Sequence, residues 1–361
     1  MSQLFFTSSL LSDDRFLSFE ELFKKVQPSE IILIFDTNIV IDFREFYFNP
    51  KEFSKDLKFR ETYFSARYLV EQIDRYDLEI NAAFGIEESS RSIKDFSLNL
   101  QKAQQTSRAL KDLFSMNIEK LDNHINKGSA ENLIINNEEF PNTKIECLKE
   151  TSTFQGLLII SYLASLKIYE LTIRIEKKEK THLGAMTEFL KFLDEEVDAI
   201  SATFISYAFH IFGGFQELKP LIFSKEKKNL NKRLHKIFNG AIDLIFPNIT
   251  DKSQLAYSNS LINTELIPVF VTRDKYISVL HSMLNTKVRF ENETLHDPQL
   301  KEVSYKFIKM TNWNQTEKEI IESVIRQISI KRLSNSFSGQ KSALPLLNKV
   351  EYYETIVKEL F

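Results

Sequence analysis

The sequence predicts an α/β fold, with a parallel sheet flanked by helices, a large helical insertion and a helical C-terminal extension. Three observations predict it. First, Ile31-Ile32-Leu33-Ile34-Phe35 is an unbroken apolar, mostly branched run, the composition of a strand buried on both faces. It stops at Asp36-Thr37-Asn38, and an apolar helical pattern resumes. Second, Ile267-Pro268-Val269-Phe270-Val271-Thr272 repeats the design, ending in Arg273-Asp274 and passing straight into another helical pattern. Third, the long block between these strands carries helical rather than alternating periodicity.

Taken in order, residues 1–30 read as a preamble, with a short helix over Phe19–Val26 ended by Pro28. The first strand is followed by a helical stretch over 39–74 with a break near Pro50. Leu78 to Asn81 is a short β-like run, and Phe84 to Ser90 opens another helix. From 94 to 122, Leu98, Leu100, Leu110, Leu113 and Phe114 recur at helical spacing. Asn126 to Thr143, with Gly128 and Pro141, reads as a loop. Helices are expected over 154–175 and 183–212, with Gly213-Gly214 as a breaker. A helix from Asn248 to about Asn263 leads into the second strand, and a helix over 276–284 follows it. The tail reads as helices over 316–333 and 346–361 around a Ser-rich loop at 334–341. The implied organisation is a preamble (1–30), a core (31–122 and 245–290), a helical insertion (123–244) and a helical extension (291–361).

Composition sets bounds. Hydrophobic residues are 43% and charged residues 27%, ordinary for a soluble globular chain. A net charge of −3 advertises no global attraction to nucleic acid. The single cysteine, Cys147, excludes an internal disulfide framework and a cysteine-rich zinc site. With no basic, apolar leader pattern at the start, a cytoplasmic location is expected. The greasiest segment, Leu157 to Ile175, is interrupted by Lys167, Glu170 and Arg174 and reads as a buried core helix rather than a membrane span.

Chemistry in open α/β sheets gathers at the carboxyl ends of strands, and both strands here end in acids, Asp36 and Asp274. In a parallel sheet these share an edge. Asp251, with Thr250 as its N-cap, opens the helix before the second strand, and Glu88 stands in the first turns after the 78–81 strand. Four carboxylates at one edge repel unless a cation joins them. Hard oxygen donors select Mg²⁺ or Mn²⁺. Read alone, Asp36 serves equally well as a helix cap. Glu87 competes with Glu88, and Asp243 with Asp251, while Asp42 reads as a surface or capping acid.

Together, Asp36-Thr37-Asn38 after its strand, the mid-chain Glu88, and the run from Asp251 through Ile267-Pro268-Val269-Phe270-Val271-Thr272-Arg273-Asp274-Lys275 resemble a PIN domain. The resemblance covers about 31–114 and 245–290. It implies a PIN-like parallel sheet with helices on both faces and a metal-dependent nuclease activity, mostly on RNA. It further implies Asp36, Glu88, Asp251 and Asp274 as catalytic metal ligands, Asn38 as support for the first acid, and Thr272 as the hydroxyl before the last. The long helical insertion departs from small toxin-type members and leaves the substrate class open.

Other chemistries lack their signatures. The six histidines show no ligand spacing, and there is no G-x-S-x-G elbow, Walker loop or G-x-G-x-x-G. A basic island at 225–236 reads as a solvated helix face. Its alternative role is phosphate contact through Lys227, Lys228, Lys232 and Arg233. The expected function is thus divalent-metal-dependent phosphodiester hydrolysis with nucleic acid, RNA ahead of DNA, as partner. The alternatives are a structure-specific DNA nuclease, an inactive PIN-like interaction module, and a toxin or defence effector with an inhibitory protein partner.

Overall fold

The computed structural model describes residues 4–8, 15–50, 57–124, 139–149, 155–224, 229–245, 266–283, 287–290, 300–304, 311–334 and 344–360. The chain divides into two compact units, Met1–Glu138 with Asn248–Ser282, and Glu139–Pro247 with Met283–Phe361.

The chain begins with β1 (Phe5–Thr7), α1 (Phe19–Leu22), β2 (Ile31–Phe35), α2 (Thr37–Phe48), α3 (Leu57–Tyr76), β3 (Glu79–Asn81) and α4 (Ala83–Ser89). Then come α5 (Leu100–Phe114), α6 (Ile118–His124), α7 (Gln155–Glu176), α8 (His182–Lys191), α9 (Ala202–Phe212) and α10 (Leu230–Asp243). Last are β4 (Ile267–Thr272), α11 (Lys275–Met283), β5 (Lys287–Phe290), β6 (Leu300–Ser304), α12 (Gln315–Ser334) and α13 (Leu344–Glu359).

The first unit is a mixed α/β layer built on a four-stranded sheet of order β1-β4-β2-β3. β2 runs parallel to both β3 and β4, and β1 lies antiparallel on β4. All five residues of β2 are buried, as an apolar strand covered on both faces requires. Phe35 stacks toward Phe43 of α2 and Phe114 of α5, at centroid distances of 6.2 and 5.4 Å. The region read as a preamble proves to be part of this core. Phe5–Thr7 supplies the edge strand, and Phe6 and Phe19 are fully buried with their rings 4.6 Å apart.

α4 packs closely on α2 because it carries Gly85. A Cβ there would lie 2.7 Å from Val40 Cγ2 and 3.2 Å from the Phe35 carbonyl oxygen. Asn99 accepts from Lys102 N at 3.0 Å and starts α5 at Leu100 rather than at 94. The preceding residues fold into a tight loop in which Phe96 has a φ of 62°.

In the second unit α7 is long and apolar enough to cross a membrane, but 78% of its apolar window is buried inside the protein. Its charges are satisfied internally. Lys167 Nζ donates to Glu170 at 3.0 Å and to Glu188 of α8 at 2.7 Å, and Arg174 pairs with Glu170 at 3.0 Å. The helix expected over 183–212 is interrupted. A π-turn at Phe192–Val197 is followed by Asp198 at φ 58°, and α9 begins after Ser201. Aspartate tolerates that left-handed conformation better than most residues. The insertion and the tail belong to one unit. Arg332 of α12 binds Asp194 at 3.0 Å, and Tyr353 of α13 reaches Glu196 at 3.3 Å. β5 and β6 pair antiparallel as a separate ribbon.

Two substitutions test this packing. Gly85→Ala would gain up to about 1 kcal/mol of helix propensity. Overpacking costs about 1–3 kcal/mol, and Val40, stiff at χ1 in a helix, cannot turn aside. A net loss of stability in urea unfolding is expected. Arg44 of α2 is 5% exposed, and its Nε and Nη1 have no hydrogen-bond partner among the described residues. Burial holds the guanidinium below its usual range although the charge of Glu45 opposes this. Two unmet donors on a buried charge are a net cost, so Arg44→Met is expected to raise the melting temperature.

Candidate functional site

The β2–β4 register sets Phe35 opposite Val271, so Asp36 and Thr272 leave the sheet side by side. The ladder runs one bond further, with Asp36 N–H donating to the Val271 carbonyl at 3.0 Å. Asp36 then occupies the N-cap position of α2, yet its side chain makes no capping bond. The residue is 1% exposed. Oδ2 accepts from the Thr272 hydroxyl at 2.6 Å and, more distantly, from Asn38 Nδ2 at 3.3 Å. Capping alone therefore does not explain this residue.

Glu88 is half-buried on α4, and its Oε2 accepts a hydrogen bond from the Thr37 hydroxyl. The neighbouring Glu87, its rival in the sequence, is exposed and pairs with Arg91. Asp274 is half-buried at the start of α11. Its Oδ1 accepts from Tyr276 N at 2.6 Å and Ile277 N at 3.2 Å, an N-cap arrangement. Its own N–H donates to the Thr272 hydroxyl at 2.9 Å. One hydroxyl thus links the two strand-end acids, accepting from Asp274 N–H and donating to Asp36.

Burial pushes the Asp36 carboxyl up to about 6, against the hydrogen bonds from Thr272 and Asn38, and the charge of Asp274 adds to the rise. Burial likewise lifts Glu88 to about 8, opposed by the Thr37 bond and reinforced by Asp36. Asp36 therefore stands between the other two, feeling the charge of Asp274 and acting on Glu88. Their donor set is all oxygen, which suits a hard divalent cation that keeps several waters. His281, on α11, is buried and stacked flat on Phe270 at 4.8 Å. Among the described residues no three His, Cys, Asp or Glu side chains approach closely enough to hold one ion together.

Asp251 lies outside the described residues, as do Thr250, Lys227 and Lys228. Its rival Asp243 ends α10 in the second unit, where its charge acts on Tyr207. Of the basic island, Lys232 is exposed, whereas Arg233 is 3% exposed and placed near Tyr169. The expectation that Arg233 faces phosphate is corrected. The inner stripe of α10 includes Arg233, Leu234, Ile237 and Phe238, and helical spacing carries the arginine inward with them.

Sequence reasoning gave no role to three residues around the site, Thr37, Arg273 and Thr62, and misjudged Asp42. Thr37 binds Glu88, and Arg273 Nη1 donates to Asp42 and, at 2.6 Å, to Thr62 of α3. Asp42 is thus a half-buried ion-pair partner rather than a capping acid. The signal for Thr37 was its place, a hydroxyl between two site residues. The Arg273–Asp42–Thr62 group had no sequence signal, because 211 residues separate Thr62 from Arg273. Compared with models of protein families, with curated proteins and with solved structures, the chain gives no match.

The raised carboxyls make a pH prediction. Between about pH 4.5 and pH 8 the folded protein holds protons that the unfolded chain has released, so stability falls as pH rises. Without divalent metal, the melting temperature should drop from about pH 5 to about pH 8. Glu88→Gln should flatten the upper part of that slope. A slope unchanged in the variant would show that Glu88 does not titrate there.

Proposed function

We propose that this chain is a divalent-metal-dependent nuclease on a PIN-like core, hydrolysing phosphodiester bonds as an endoribonuclease. The observation that carries the reading is Asp36, a buried carboxylate at a helix N-terminus that does not cap the helix and sits within the field of two further acids. Asp36, Glu88 and Asp274 are the acids that would serve Mg²⁺ or Mn²⁺, with Asp251 as a fourth carried over from the resemblance. Since no three described acids reach one ion together, one or two would bind it directly and the others through its retained waters.

Such an ion supplies Lewis acidity toward phosphoryl oxygens and a means of ionising water near neutral pH. The protein's own part is placement. Thr272 orients Asp36 from the neighbouring strand, Asn38 supports the same oxygen, and Thr37 fixes Glu88. Glu88 and Asp36, whose proton affinities are raised by burial and mutual charge, would exchange protons for the cation on loading. Among the proposed phosphate contacts, exposed Lys232 remains a candidate and buried Arg233 does not.

A second reading, a PIN-like interaction module without activity, draws on one observation: Asp274 spends one oxygen on capping α11. The two readings diverge under substitution. Asn caps as well as Asp, so Asp274→Asn leaves a mere cap nearly unharmed. Loss of a charge that acts on the reaction should instead lower single-turnover RNA cleavage by about 10²-fold or more, with the circular dichroism unchanged. Asp36→Asn should do the same. Wild-type protein that cuts neither RNA nor DNA with Mg²⁺ or Mn²⁺ would favour the interaction module. Cleavage of branched or flapped DNA in preference to RNA would move the assignment to a structure-specific DNA nuclease.

A further inference from the structure

We infer that Thr37 is a positioning residue that holds Glu88 against Asp36, so that acids on separate elements act as one cation site; this rests on the metal-dependent reading above. Thr37 is the first residue of α2, directly after Asp36. Its backbone is fixed from both sides, by the Asp36 bond to Val271 at 3.0 Å and by the Val40 bond to the Asp36 carbonyl at 3.1 Å. A threonine inside a helix commonly turns its hydroxyl back to the carbonyl one turn earlier. At the first helical position that turn does not exist, and the hydroxyl is free to donate outward. It donates to Glu88 Oε2.

Glu88 depends on that bond. Among the described residues no other hydrogen bond reaches its carboxylate. The nearby cation, Arg91, is committed to Glu87 and to the Phe96 carbonyl at 2.7 Å, with its guanidinium 4.8 Å from the Phe96 ring centroid. Asp36 opposes the Glu88 charge, and a glutamate has the rotamer freedom to swing away from it. Gly85 allows α4 to approach to within a Cβ contact of the Thr37 backbone, 3.3 Å from its Cα. The close helix approach and the hydroxyl therefore serve one end, which is to keep Glu88 beside Asp36 despite their repulsion. Thr272 does the corresponding work for Asp36. Each of these two acids is held by a threonine hydroxyl from a neighbouring position, and neither by a positive charge.

The test uses the full chain and two variants, with Mn²⁺ as the probe. Thr37→Val keeps the shape and removes the donor, and Thr37→Ser keeps the donor. Calorimetric titration with Mn²⁺ should show Thr37→Val weakened by about 10- to 100-fold, the usual effect of removing a group that orients a ligand. Thr37→Ser should bind close to wild type. At fixed Mn²⁺, RNA cleavage by Thr37→Val should lose kcat while KM for RNA holds. If Thr37→Val fails to fold by circular dichroism, Thr37→Ala is read in its place. Equal Mn²⁺ affinity in wild type and Thr37→Val overturns the inference and leaves the metal-dependent reading standing. Equal losses in the Val and Ser variants also overturn it, since the hydroxyl would not be the cause. Wild type that binds no Mn²⁺ overturns both.

Discussion

The pairing of β2 with β4 is the constraint on which the rest of the first unit depends. These strands are distant in sequence, yet they match residue for residue from Ile31 with Ile267 to Phe35 with Val271. A slip of one residue would turn every side chain to the opposite face. Because all five residues of β2 are apolar and buried, the two faces differ little in polarity, and the register is marked instead where the apolar runs end, at Asp36 and Thr272. That register fixes chemistry in turn. It brings the Thr272 hydroxyl to Asp36 and starts α2 and α11 from the same edge.

Burying Asp36 runs against its solvation, and an isolated carboxylate in such a place costs several kcal/mol. The fold offsets this in part with a short hydroxyl bond and a weaker amide bond. The remainder appears as a raised proton affinity. A simpler solution was available at the same position, because an aspartate at an N-cap can accept from the first helical N–H groups at no strain. Asp274 adopts that solution and Asp36 does not. Two acids that each stand just before a helix after parallel strands therefore have different occupations.

Much of this was legible in the sequence because it is written in long apolar runs. β2, β4 and the helices after them follow from burial on both faces and from strand-end polar residues. What was not legible is short or non-local. β1 is three residues long and gains its place only by pairing with a strand far along the chain, so no periodicity could mark it. The interruption between α8 and α9 depends on one left-handed residue, Asp198, inside an apolar helical pattern. The inward turn of Arg233 belongs to the same class. Its charge argued for the surface, and its position on the apolar stripe of α10 prevailed. The choice between Glu87 and Glu88 was open on spacing alone. The structure separates the two locally, since a cation four residues on takes Glu87 while Glu88 meets Thr37.

Arg273 shows best what kind of edge this is. It stands between Thr272 and Asp274, where a guanidinium would be expected to neutralise the acids beside it. Instead it turns to Asp42 of α2 and Thr62 of α3, and its buried Nε has no hydrogen-bond partner among the described residues. Among the described residues no lysine or arginine bonds to Asp36, Glu88 or Asp274. An ion pair within the protein would have removed the repulsion and lowered the proton affinities of the acids. Arg273 is spent on holding two helices to the strand end. The negative charge at the edge is consequently left to be balanced by protons, as the raised Asp36 and Glu88 carboxyls indicate, or by a cation from solution. Turning Arg273 the other way would give up its pair with Asp42 and its bond to Thr62, so the edge keeps its negative charge as a consequence of how α2 and α3 are tied to the strand end.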